Sequence, residues 1–145
     1  VTTRAQKQLA MALADLPGPK VRRPRGHGET RLHCAVARFL RAAIDRKACF
    51  WTTFPAGGGG ATRGGILKAM GLKRGFPDIL LLPRGRCACL IELKDEGGTL
   101  SPEQRDLHHE LRELGCLVAV CRSLKGVADT LRVWGIPTRV SICFT

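Results

Sequence analysis

Apolar and polar positions along this 145-residue chain follow two different rhythms. Between residues 29 and 47, Leu32, Val36, Phe39, Leu40, Ala43 and Ile44 recur every three or four residues, which predicts an amphipathic helix. Cys49-Phe50-Trp51-Thr52-Thr53-Phe54 has the composition of a strand, and a short helix is predicted over 62–71. Two apolar runs of strand length come next, one ending Ile79-Leu80-Leu81-Leu82 and the other Leu90-Ile91-Glu92-Leu93-Lys94. The turn Pro83-Arg84-Gly85-Arg86 separates them, so they form a hairpin or a pair of adjacent strands. Ser101, Pro102 and Gln104 have the spacing of a capping box, and Leu107, Leu111 and Leu114 continue at helical intervals until Gly115. Cys116–Cys121 is apolar without interruption, as in the middle of a covered sheet. Ser123 caps a last helix marked by Leu124, Val127, Leu131 and Trp134, and Thr138–Phe144 suits an edge strand. The predicted fold class is α/β, a sheet sandwiched between helices.

This periodic region spans residues 29–145. Before it, residues 3–15 suit a short helix, and Pro17, Pro19, Pro24, Gly26 and Gly28 punctuate the stretch between that helix and residue 29. Residues 1–28 hold six basic residues, among them Arg22, Arg23 and Arg25, and one acid, Asp15. Two readings fit that segment: a mobile basic arm ordered against a partner, or a solvated linker.

Composition narrows the partner. The chain carries 24 Lys and Arg against 12 acids, a net charge of +12 and a pI near 10.2. Such a charge attracts polyanions, and nucleic acid fits better than an acidic membrane because no strongly basic amphipathic helix is present. No apolar run nears the roughly 20 residues that span a bilayer. Asp15 also interrupts the run Leu9–Ala14 before it reaches the length of a secretory core. The expectation is a soluble, non-secreted protein of the cytoplasm, associated with nucleoid or host-cell DNA. Seven cysteines lie mostly in apolar segments, without zinc-ligand spacing, and are expected to be reduced thiols.

Charges inside the strands carry the chemistry. Glu92 and Lys94 emerge on one face because side chains alternate along a strand, and Asp78 begins the neighbouring strand. A buried carboxylate is costly unless paired or bound to metal. The trio is therefore either a divalent-cation site with an amine beside it or a structural ion pair at a sheet edge. Glu29 falls within the apolar stripe of the first helix, although an acid at a helix start is also accounted for by the macrodipole. Gln104 has a sufficient reason in its cap. His108 and His109 have no partner at metal spacing and are expected to be ordinary helix residues, His108 near the active face. Glycines 57–60 lack the G-K-[ST] ending of a phosphate-binding loop. Arg63, Lys68, Lys73 and Arg74 either grip a phosphodiester backbone or form a solvated face.

Gly75-Phe76-Pro77-Asp78, then Ile91-Glu92-Leu93-Lys94, then Leu100-Ser101-Pro102-Glu103-Gln104 resembles the VRR-NUC family of the PD-(D/E)xK nuclease superfamily, over roughly residues 27–125. The resemblance implies a restriction-endonuclease-like core with a central mixed sheet flanked by helices. It implies a Mg²⁺ or Mn²⁺ ion held by Asp78 and Glu92, with the Leu93 carbonyl as a further ligand and Glu29 close to the metal. Lys94 would orient or deprotonate water, or offset developing charge, with a pKa lowered by the neighbouring dication. Gln104 would position water or phosphate. The implied activity is metal-dependent DNA endonuclease, structure-specific for four-way or other branched DNA, acting as a homodimer. A non-cleaving nucleic-acid-binding module is the alternative, and nothing here separates DNA from RNA.

Overall fold

The computed structural model describes residues 28–54 and 60–140. The predicted helix over 3–15 and the basic arm, including Arg22, Arg23 and Arg25, lie outside that range, as do Gly57, Gly58 and Gly59 and the end of the proposed last strand. The elements are α1 (Gly28–Ala43), β1 (Cys49–Thr53), α2 (Gly60–Ala69), β2 (Ile79–Pro83), β3 (Cys89–Leu93), α3 (Pro102–Glu113), β4 (Leu117–Cys121) and α4 (Leu124–Val133).

The four strands form one sheet in the order β1-β2-β3-β4. β1 and β2 are antiparallel, β2 and β3 form the expected antiparallel pair with Ile79 opposite Ile91, and β3 and β4 are parallel. The parallel step needs a crossover, which α3 supplies. The result is the mixed sheet flanked by helices that the motifs implied. Cys89, Ile91 and Leu93 alternate into a core built with Val36, Phe39 and Leu40 of α1 and Val127 and Leu131 of α4. Leu90 and Glu92 point to the other face, and all five β3 residues are buried.

Two features differ from the sequence expectation, the end of α1 and the place of β4 in the sheet. α1 stops at Ala43 because Ile44 leaves the helix to bridge Thr138, and the Asp45 side chain accepts the Lys47 N–H at 2.9 Å to start a turn. Among the described residues β4 is an edge strand of the sheet, not a central one. Its apolar run is explained by α3 and α4 packing against it. Among the described residues, Thr138 makes an isolated bridge and not a strand.

Among the described residues six cysteines are free thiols, of which Cys34 and Cys87 are exposed. Among the described residues no helix is long and apolar enough to cross a membrane.

α3 begins as its sequence dictates. Ser101 accepts the Gln104 N–H at 3.2 Å, and Gln104 Oε1 accepts the Ser101 N–H at 3.0 Å. Ser101→Ala should therefore cost about 1 kcal/mol, read as a lower midpoint in urea. A midpoint equal to wild type would contradict the cap.

Candidate metal centre

The fold brings three acids from three separate segments to one point. Glu29 comes from the first turn of α1, Asp78 from the residue before β2 and Glu92 from β3. One carboxylate oxygen from each lies within 4.8 Å of the others. Asp78 and Glu92 are buried, at 6% and 2% exposure, and Glu29 stands at the solvent side. Asp78 Oδ2 accepts the Leu93 N–H at 2.7 Å, which ties the start of β2 to the end of β3. At Leu93 the structure thus records an amide donor turned to the site.

Lys94 follows directly on β3. Its Nζ lies 2.8 Å from Glu92 Oε1 and 3.1 Å from Glu29 Oε1. Gln104 reaches in from the first turn of α3, and its Nε2 donates to Glu92 Oε1 at 2.5 Å. The same side chain therefore caps the helix through Oε1 and grips the acid through Nε2. Gly75 makes this approach possible. It holds φ +78°, and a Cβ there would lie 2.8 Å from the Gln104 nitrogen. An open cleft of about 310 Å³ beside it is lined by Arg74, Gly75, Ser101, Glu103 and Gln104.

The electrostatics follow from burial. Desolvation pushes the Asp78 carboxyl above its usual range, opposed in part by the Leu93 N–H. Desolvation likewise raises Glu92 more than its hydrogen bond with Lys94 lowers it. For Lys94, burial disfavours the ammonium, but the bonds to Glu92 and Glu29 outweigh it and hold the pKa above the ordinary value.

Three acids against one ammonium leave two negative charges without a counter-ion in a largely buried cluster. Protons or a dication can balance them, and hard carboxylate oxygens are the donors that Mg²⁺ and Mn²⁺ prefer. The donor set fits such an ion.

His108 was the residue undervalued from sequence. It lies one turn beyond Gln104, fully buried, with Nε2 3.9 Å from Glu92 Oε2. Burial, with Arg112 and Lys94 nearby, holds its pKa below the usual value. The i, i+4 spacing from Gln104 was the signal that could have placed it. Arg63, Lys68, Lys73 and Arg74 are all exposed on α2 and the turn after it.

Residues 62–125 match the VRR-NUC domain family. That segment contains Asp78, Glu92, Lys94, Gln104 and His108, while Glu29 lies before it. The fold is similar to that of a solved VRR-NUC domain protein, with a TM-score of 0.50, 13% identity and coverage of 94% of this chain and 93% of that one. A second solved VRR-NUC domain gives a TM-score of 0.49 at 23% identity, over 73% of this chain and 95% of its own. No match is found among curated proteins. Over residues 62–125 the chain is thus similar to the VRR-NUC domain family, and its fold is similar to that of a solved VRR-NUC domain protein.

Proposed function

We propose that this protein is a divalent-metal-dependent endonuclease that hydrolyses phosphodiester bonds in branched DNA, such as four-way junctions, as a homodimer. The observation that carries this reading is the convergence of Glu29, Asp78 and Glu92 within 4.8 Å, with Lys94 bonded to two of them.

Asp78, Glu92 and Glu29, with the Leu93 carbonyl, would hold Mg²⁺ or Mn²⁺, which polarises the phosphate and acidifies water when bound. The chain's own residues do the remaining work. The Leu93 N–H fixes the Asp78 carboxylate, and Gln104 fixes that of Glu92. Lys94 supplies an ammonium to orient the attacking water and offset charge developing on the phosphate. Arg63, Lys68, Lys73 and Arg74 place exposed positive charge on α2 and the turn that leads to Asp78, where they can grip the phosphodiester backbone. Arg22, Arg23 and Arg25 would extend that grip. The net charge of +12 supports a polyanionic substrate and a place in the cell where DNA is found.

Symmetric cleavage of two strands by a protein with one site per subunit needs two subunits. Labelled duplex, flap and four-way junction should therefore be cut only with Mg²⁺ or Mn²⁺, the junction fastest. Sedimentation of the junction complex should show two protein copies. A monomer on the junction would remove the dimer from this account. Binding without metal-dependent cutting of any substrate would favour a non-cleaving module, and cutting of the RNA equivalents alone would reassign the substrate.

A further inference from the structure

Among the described residues, three buried side-chain polar atoms have no hydrogen-bond partner: Glu92 Oε2 and both ring nitrogens of His108. Two of the three, Glu92 Oε2 and His108 Nε2, face each other. His108 Nε2 stands 3.9 Å from Glu92 Oε2, longer than a hydrogen bond. Meanwhile Glu92 Oε1 is fully engaged, by Lys94 and Gln104. The carboxylate is thus held firmly at one oxygen and left bare at the other.

Neutral imidazole carries one N–H, and the neighbour of each nitrogen decides which one bears it. With the proton on Nδ1, the Nε2 lone pair would face a carboxylate oxygen and an N–H would be stranded in the interior. With the proton on Nε2, the bare oxygen gains its donor, and only an acceptor lone pair is left unpaired. Orphaned buried N–H groups are rarer in proteins than under-used acceptors, so the second arrangement wins.

We propose that His108 is a positioning residue: a neutral imidazole whose Nε2–H donates to Glu92 Oε2 and, opposite Lys94 and Gln104, fixes the plane of that carboxylate. Side-chain rotation over about one ångström closes the bond to an ordinary length. A carboxylate has about four lone-pair sites, so an oxygen bound in this way still has one to offer a cation. Gln104 and His108 are one turn apart, so a single helix face holds both oxygens of the acid. The effect on metal binding rests on the function proposed above, whereas the hydrogen bond itself is a property of the metal-free protein.

Two measurements on the full chain test this. Two-bond ¹H–¹⁵N correlation spectra of the metal-free protein should show His108 as the Nε2–H tautomer with a slowly exchanging proton. An Nδ1–H tautomer, or a rapidly exchanging Nε2 proton, overturns the proposal whatever the nuclease assays show. Calorimetric titration with Mn²⁺ alone should then give affinity weakened about 10- to 100-fold in His108→Leu. His108→Gln keeps a donor and should stay within about threefold of wild type. A folded His108→Leu protein that binds Mn²⁺ as tightly as wild type refutes the positioning role. Wild type that binds no Mn²⁺ refutes the metal-dependent function and leaves the tautomer result to decide the hydrogen bond.

Discussion

Asp78→Asn should reduce metal-dependent DNA cleavage on the order of a thousandfold while leaving the metal-free protein at least as stable as wild type. The two halves of this expectation have one cause. Burial raises the Asp78 pKa in the folded chain, so the folded state binds its proton more tightly than the unfolded chain does. At neutral pH the ionised side chain therefore costs folding free energy. An asparagine oxygen can still accept the Leu93 N–H now bound by Asp78 Oδ2, and the uncompensated charge is gone. Thermal melts with a chelator present should place Asp78→Asn at or above the wild-type midpoint, and rates on a labelled junction should show the loss. A strongly destabilised variant would mean that Asp78 serves the fold first. Wild-type cleavage would remove it from the site.

Gly75→Ala should act in the opposite sense, damaging fold and activity together. A non-glycine residue at φ +78° costs about 1–3 kcal/mol in the backbone alone. Its Cβ would also lie 2.8 Å from the nitrogen and 2.9 Å from the Cα of Gln104. Both are backbone atoms, so no rotamer change relieves the clash, and the first turn of α3 must move away. Gln104 then loses its reach to Glu92, and cleavage should fall more than tenfold at temperatures where the variant is still folded. Gly85, also at positive φ but with nothing near its Cβ, provides the control: Gly85→Ala should lose only stability. Equal cleavage by the two variants, measured well below their midpoints, would contradict the role of the close approach.

Sequence and structure agree most closely at Glu92. Its place in an apolar strand marked it, because a charge there is costly unless something compensates, and the fold does gather Asp78, Glu29 and Lys94 around it. Strand alternation and helical periodicity are local rules, and they located β2, β3, α1 and α3 well. Sheet order is not local. The apolar run of β4 is compatible with a central strand or with an edge strand covered by two helices, and only the assembled layers decide between them. The overlong α1 has a similar origin, since Ile44 fits the helical stripe but pairs with a residue almost a hundred positions later. His108 escaped for a different reason. Its neighbour His109 is exposed, and nothing in a dipeptide of histidines says which one turns inward. Gln104 has a sufficient reason in its cap from sequence alone, and the bond that its other amide end makes to Glu92 depends on the assembled fold.

The central claim is that carboxylates from α1, the approach to β2, and β3 capture one kind of ion in common. Anomalous diffraction from crystals of the full chain grown with Mn²⁺ tests this most directly. A strong peak within coordinating distance of Asp78, Glu92 and Glu29, absent in Asp78→Asn crystals, is the predicted result. Well-ordered acids with no anomalous density between them at saturating Mn²⁺, or a peak unaffected by the substitution, would contradict it.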